Sequence, residues 1–544
     1  MAMILALSLP GIAVNASEVD GGEKIPTMVL TFAPGTEAAR IGIGGATGYE
    51  FSIDWGDGVE ETYDEQQYVE HLITGNTVKI YGDEIVLLRA SSQNILTADL
   101  SNASALIQVQ LGYNGLTSLT LGNHPAMTGL YAENNAITSI NLSGCPALKV
   151  VDLHENAIEG TIDCSAMASL SKIDIADNQF SSLTLPKHSV VYEVDCSNNN
   201  LTELDATGLD GLDALACSDN SLTSIDLTGL TAMTELYVDG NNLTGIDISP
   251  CTSIEKIVAY GNEITSIDLS QNPTLTGVYM QDNALTAIDI TANPNVRWLN
   301  IGNNEVSSID VTKQKNLSIF IAENNNLTEV DLSGNASISS LNLSGNDLTS
   351  VDLSKAPYLS QCNLAGNKLS ALDLSKNAYL YGLFCGGNML TSLDISANTY
   401  LQRLEAQGNQ LTSLDVTNNG GLQELLIQEN NMDKDAINAV INALPDVSSV
   451  NVTPETEEFI RQLNISDMPG TAGANVVAAE TKGWFVTAET TAIEDVEASS
   501  AEVVNVVYYN VEGMASEKPF DGLNIKVETL SDGSRRTSKV MNRF

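Results

Sequence analysis

The stretch that decides the fold is Leu341-Asn342-Leu343-Ser344-Gly345-Asn346-Asp347-Leu348-Thr349-Ser350-Val351-Asp352-Leu353-Ser354. Two short alternating segments flank Asn346. Alternation with period two sends Leu341 and Leu343 to one side and Val351 and Leu353 to another, all facing inward, so the stretch reads as one flattened coil. A coil of this size cannot bury its own leucines; stacking with its neighbours can.

The neighbours are written in the sequence. Asn residues in the same context stand at 114, 135, 156, 178, 199, 220, 241, 262, 283, 304, 325, 346, 367, 388, 409 and 430, every interval being 21 except one of 22. Gln93 occupies the preceding position of the series. The consensus is L-x-x-L-x-L-x-x-N-x-L-T-S-L-D-L-S-x-N, a self-similarity that specifies a solenoid. Stacked coils pair their strands in parallel at roughly 4.8 Å per rung, which makes sixteen rungs about 75 Å long. The Asn amide carries donors and an acceptor, so a buried Asn column can satisfy backbone groups where each coil leaves its strand.

Composition agrees with an array. In 544 residues aromatics reach only 5% and charged residues 17%, too few for a set of irregular cores of that length. The net charge of −45 makes the surface acidic and excludes nucleic acid as a natural partner. Residues 1–16 carry no charge and hold the apolar run Met3-Ile4-Leu5-Ala6-Leu7-Ser8-Leu9, followed by Val14-Asn15-Ala16. This reads as a signal peptide, with a buried apolar strand as the alternative, and places the protein outside the cytoplasm, secreted or at the cell surface. No other segment reaches transmembrane length, so no transmembrane anchor is expected beyond the signal segment. The seven cysteines include no C-x-x-C pair. Cys196, Cys217 and Cys385 share one column and Cys362 another inward-facing one, which favours buried thiols over disulfides.

The repeat resembles that of the leucine-rich-repeat superfamily, and its 21-residue unit with occasional strand cysteines is similar to internalin-J-like bacterial surface proteins. The resemblance covers about Leu96 to Met432. It implies a horseshoe or gently curved solenoid whose concave strand face carries a binding site. The expected fold class is therefore a right-handed repeat solenoid with a parallel β-sheet, mostly β with few helices and a small β module at each end.

The ends delimit the array. Residues 17–92 form an N-terminal β cap: Phe51-Ser52-Ile53-Asp54-Trp55-Gly56-Asp57-Gly58 runs into a tight turn, and Val78–Tyr81 and Ile85–Leu88 read as strands. The Trp-Gly-Asp-Gly turn resembles that of polycystic-kidney-disease-type β-sandwiches, although a structural hairpin covering the first coil is the favoured reading. The solenoid spans 93–432. Residues 433–487 form its C-terminal cap, beginning with a helix that places Ile437, Val440, Ile441 and Leu444 on one face, followed by a turn, a second short helix and a last strand. An acidic, Ala-rich linker covers 488–502. Residues 503–544 form a small β module with the strands Val503–Val511 and Gly522–Val527. With Tyr509-Asn510 before Gly513, it resembles the C-terminal sorting modules of Bacteroidetes exported proteins, and that resemblance implies type IX export.

Chemistry is sparse. His71, His124, His154 and His188 stand far apart in the coil register, so neither acid–base work nor metal ligation is expected of them. No catalytic motif occurs, and no enzyme, resident metal or cofactor is expected, apart from loosely bound calcium. Calcium enters through one column: Asp205, Asp226, Asp247, Asp268, Asp289, Asp310, Asp331, Asp352, Asp373, Asp394 and Asp415 recur every 21 residues. Neighbours on such a ladder repel by about 0.9 kcal/mol in bulk water, which points to counterions or raised pKa values. A solvated ladder bonded to adjacent Ser and Thr hydroxyls is preferred over specific calcium sites.

The strand face carries the candidate site. Positions two, four and six before each Asn point outward, and the middle coils place Tyr237, Val258, Tyr260, Tyr279, Trp298, Ile319 and Ile321 there. They should form one exposed apolar and aromatic strip, with Glu235 and Asp239 as a polar rim. Packing of these side chains against each other is the alternative. Trp298 and Tyr279 are the expected anchors. The function so implied is binding of a protein or glycoprotein partner, as an adhesin or interaction module. Glycan binding is the alternative within that class, because sugars stack on aromatic rings. A passive surface-layer spacer would need no aromatic strip, and an enzyme would need a polar catalytic pocket.

Overall fold

The computed structural model describes residues 24–45, 48–64, 67–187, 190–450, 461–490, 503–509, 515–516, 518, 522–530 and 535–542. The signal segment, His188, most of the linker and the Asn510-to-Gly513 turn of the C-terminal module lie outside the described residues.

The repeat folds as a β-solenoid of about 19 turns. Each coil contributes a three-residue strand, such as Trp298–Asn300, Ile319–Ile321 and Ser340–Asn342, and consecutive strands pair in parallel and in register. The central residue of each strand points inward, stacking Leu299, Phe320, Leu341, Cys362 and Leu383 in one buried column. Leu343, Leu348 and Leu353 complete the core of their coil, while Val351 is half-buried at its margin.

The Asn column supplies the vertical connection. Asn346 Oδ1 accepts the Leu327 N–H at 3.0 Å, and its Nδ2 donates to Ala322 O at 2.8 Å and Leu343 O at 3.1 Å. The amide thus joins its own coil to the preceding one, and the pattern recurs up to Asn430. The residue before Asn adopts positive φ in coil after coil, from Asn134 through Asp282 and Gly345 to Glu429. Gln93 does not extend the column: its Oε1 accepts the Arg40 N–H and its Nε2 donates to Ser91 O and Ser92 O.

A second polar file, written in the consensus as the final Asn, supplies the donor half of that connection on another side of the coil, its amide oxygens being buried without a partner. Asn272, Asn293, Gln314, Asn335, Asn377, Asn398 and Asn419 are fully buried. Asn335 Nδ2 donates to Val311 O at 2.7 Å and Gln314 O at 2.9 Å, both in the preceding coil. All seven cysteines are buried free thiols, and burial pushes Cys164 and Cys385 up to about 12.

At the N-terminal end the parallel ladder starts at Ile85–Arg89, which pairs with Gln108–Gln110 on one side and antiparallel with Ala38–Gly45 on the other. The Trp-Gly-Asp-Gly turn is held by Asp54, whose Oδ1 accepts the N–H groups of Gly56 and Gly58, both at 2.9 Å. Gly56 has φ 101° and faces the Gly75 backbone so closely that a Cβ would lie 2.9 Å from its nitrogen.

At the other end, helix Lys434–Ala443 begins at Asp433, whose carboxylate accepts the Ala436 N–H, and it buries Ile437, Val440 and Ile441. Lys482 Nζ closes the helix by donating to the carbonyls of Ile441, Asn442 and Leu444. Strands Gln462–Asn464 and Phe485–Thr487 add the last two rungs. The chain then continues as an antiparallel sheet of Val503–Tyr509, Ala515–Ser516, Gly522–Leu530 and Arg535–Asn542. Among the described residues no helix is long and apolar enough to cross a membrane.

Candidate functional site

Parallel in-register pairing converts the repeat spacing into columns on the strand face. One column runs Glu235, Lys256, Gly277, Trp298, Ile319; the next runs Tyr237, Val258, Tyr279, Asn300, Ile321. The candidate residues therefore share one surface. Trp298 is 40% exposed and Tyr260 37%, while Tyr237, Tyr279, Ile319 and Ile321 are partly exposed.

Two of the candidate residues are buried on that face. Val258, expected on the exposed strip, is only 8% exposed. It stands in register between Tyr237 and Tyr279, and Lys256 Nζ lies over both rings, at 4.6 and 5.8 Å from their centroids, which closes the space above it. Asp239, expected on the polar rim, is buried. Its carboxylate accepts the Ser218 hydroxyl at 2.6 Å and the Tyr260 hydroxyl, so it fixes the tyrosine instead of meeting solvent. Glu235 is also engaged, accepting the Tyr237 hydroxyl at 2.7 Å.

Lys256 is the residue that sequence reasoning missed. Its Nζ donates to the Tyr237 hydroxyl at 3.1 Å, and this bond holds the ammonium above its usual range. Burial pushes the Tyr237 hydroxyl up against the opposing pull of Lys256. Lys256, Tyr237 and Glu235 form a donor chain that fixes one end of the strip, and Trp298 remains the large ring with the most exposure within it. The available signal was a lysine six residues before Asn262, on the rung between two tyrosine rungs.

A second aromatic surface was also missed. Tyr358, Tyr379 and Tyr400 are 61%, 56% and 64% exposed, with ring centroids 6.1 and 6.3 Å apart and planes within 27° and 13° of parallel. Their 21-residue spacing, nine before Asn367, Asn388 and Asn409, was the readable signal.

The histidines also need revising. His124 is buried and satisfied, its Nδ1 3.0 Å from Ala103 O and its Nε2 accepting the Gly122 N–H. His154, in contrast, lies beside two carboxylates: Nδ1 is 2.7 Å from Asp152 Oδ1 and 3.8 Å from Asp174 Oδ2. Asp152, Asp174 and Asp195 occupy successive rungs of one column, and burial followed by the Asp195 charge pushes Asp174 up to about 6. Burial opposes protonation of His154, yet the bond to Asp152 and the surrounding carboxylates outweigh it and raise its pKa.

The Asp ladder departs from the expectation of raised pKa values. Asp352 Oδ1 accepts the Ser354 N–H at 2.9 Å, and Asp310 accepts both the N–H and the hydroxyl of Thr312. These bonds hold the carboxyls of Asp226, Asp247, Asp268, Asp289, Asp310, Asp352, Asp373, Asp394 and Asp415 below their usual range, because repulsion across open solvent is weaker than the local donors.

Comparison with solved structures identifies the fold. The functional domain of InlJ from Listeria monocytogenes, which includes a cysteine ladder, is 18% identical over 85% of this chain and 92% of its own, with a TM-score of 0.52. The plant peptide hormone receptor RGFR1 in complex with RGF2 is 17% identical over 74% and 80%, with a TM-score of 0.51. A TDR receptor is 17% identical over 66% and 71%, with a TM-score of 0.55. No protein-family model and no curated protein matches the sequence. The chain has the leucine-rich-repeat solenoid fold, with internalins among its structural neighbours.

Proposed function

We propose that this chain is an exported, non-enzymatic recognition protein, an adhesin or interaction module that binds a protein or glycoprotein through its strand face. The observation that carries this reading is the exposed Trp298 ring, set in a strip with Tyr279, Tyr260 and Ile321 on an otherwise acidic molecule. Large aromatic rings that rest on a rigid sheet, with an edge held by hydrogen bonds, form contact area without losing much side-chain entropy on binding. The fold supports the reading by analogy, since RGFR1, a plant peptide hormone receptor, was solved in complex with RGF2.

A second reading, glycan binding, is favoured by the tyrosine ladder at 358, 379 and 400, whose parallel exposed rings suit stacking on sugar faces. One experiment separates the two. A random-peptide phage library and a glycan array are both presented to the full-length protein. The first reading expects enriched peptides whose affinity falls at least tenfold in Trp298→Ala with folding intact. Peptide binding unaffected by Trp298→Ala and Tyr279→Ala overturns it, and glycan binding that depends on Tyr379 replaces it.

A further inference from the structure

The His154 cluster lies on the same strand face as the Trp298 strip, with Asp174 three rungs before Tyr237 in one column. Strands Val150–Asp152 and Lys172–Asp174 lie in register, so Asp152 and Asp174 face the same side of adjacent rungs. His154 follows Asp152 by two residues and projects from the same face. One donor atom from each of the three lies within 4.8 Å of the others, the only such group among the described residues. Donors bound 2.0–2.1 Å from a tetrahedral ion stand about 3.3 Å apart. The Nδ1 separations of 2.7 and 3.8 Å bracket that value, and the carboxylate oxygens stand within 4.8 Å of each other, so side-chain shifts of about an ångström close the site.

Two further observations point to a cation. Glu133, one coil earlier, interacts electrostatically with Asp152 and His154, and its Oε2 is shut off from water with no hydrogen-bond partner. A buried, unpaired carboxylate oxygen is costly unless a positive charge satisfies it. Lys172, on the Asp174 strand, is already committed, donating to Glu193 at 2.7 Å. The imidazole is also held from behind: Asn134 Nδ2 lies 3.2 Å from Nε2, and turning that amide end for end would bring its oxygen there to accept the ring N–H when Nδ1 binds an ion.

We propose that Asp152, His154 and Asp174 bind a divalent first-row transition-metal ion, with Glu133 balancing its charge. The imidazole selects against calcium and magnesium, and the two carboxylates suit zinc or manganese. Three protein ligands on an exposed sheet leave a coordination position open to water or to a side chain of a bound partner.

The test uses the full chain, stripped of metal and titrated with Zn2+ against a chromogenic chelator. One site is expected, undisturbed by millimolar Ca2+, with affinity at least tenfold weaker in His154→Gln and in Asp174→Asn. Because either variant can fold poorly, a second measurement uses the native sequence. With four histidines in the chain, stoichiometric Co2+ should shift or broaden the His154 ring resonances while leaving those of His71 and His124 in place. An unaffected His154 ring overturns the proposal, as does Zn2+ affinity in folded variants within twofold of the native protein.

Discussion

Replacing Asn346 by Leu tests the device that couples the coils. The substitution removes the only acceptor of the buried Leu327 N–H, while the carbonyls of Ala322 and Leu343 keep bonds from Asn325 and Asn367. One stranded donor therefore dominates, costing about 1–3 kcal/mol. Stability in a stacked array is a sum of coil and nearest-neighbour contributions, so the loss falls on the 322–348 segment first. A loss of about 2 kcal/mol corresponds to roughly thirtyfold faster exchange of the Leu327 amide when exchange follows local opening. Hydrogen-exchange mass spectrometry of peptides spanning 322–348 measures this, with a peptide near Asn199 as the internal control. Unchanged exchange across 322–348, with an unchanged urea midpoint, would refute the claim that these amides bind coil to coil.

Three other outcomes follow from the geometry. Asp433→Ala removes the carboxylate that caps the helix at the C-terminal end and should lower stability by about 1 kcal/mol in urea unfolding, with the loss confined to 433–487. Asp205, bonded to Lys187 and Thr207, has its pKa lowered to about 2, so its contribution is present above the unfolded value of about 3.9 and is lost as pH falls toward 2. The melting temperature should fall through that window, and less steeply in Asp205→Asn. Trp298→Ala should lower unfolding free energy by about 1–2 kcal/mol without unfolding the chain, since the ring is 40% exposed and loses only its contacts with the sheet, a value that denaturant titration can check.

Much of the architecture was legible because one period controls it. A repeat of 21 fixes strand register, and register fixes which residues share a column, so the placement of Tyr237, Tyr279, Trp298 and Ile321 on one face followed from counting. Depth did not follow. Val258 and Asp239 face the same side as the exposed rings, but Lys256 above one and Tyr260 beside the other decide their burial, and such side-chain contacts have no period. The Asp152–His154–Asp174 group obeys the same count, four and two residues before Asn156 and four before Asn178, and was passed over because the histidines were compared only with one another and not with the carboxylates of the next rung. Repulsion along the Asp ladder was overestimated because the Ser and Thr donors two residues on act at hydrogen-bond range.

The central claim is that the Trp298 strip is the surface a partner covers. Trp55 and Trp484 are buried and Trp298 is exposed, so the three tryptophans of the chain report on that surface separately from the core. Acrylamide quenching of the free protein should reveal one accessible tryptophan, and saturation with a peptide selected on the full chain should abolish that accessible fraction. An accessible fraction that persists unchanged at saturation would contradict the account.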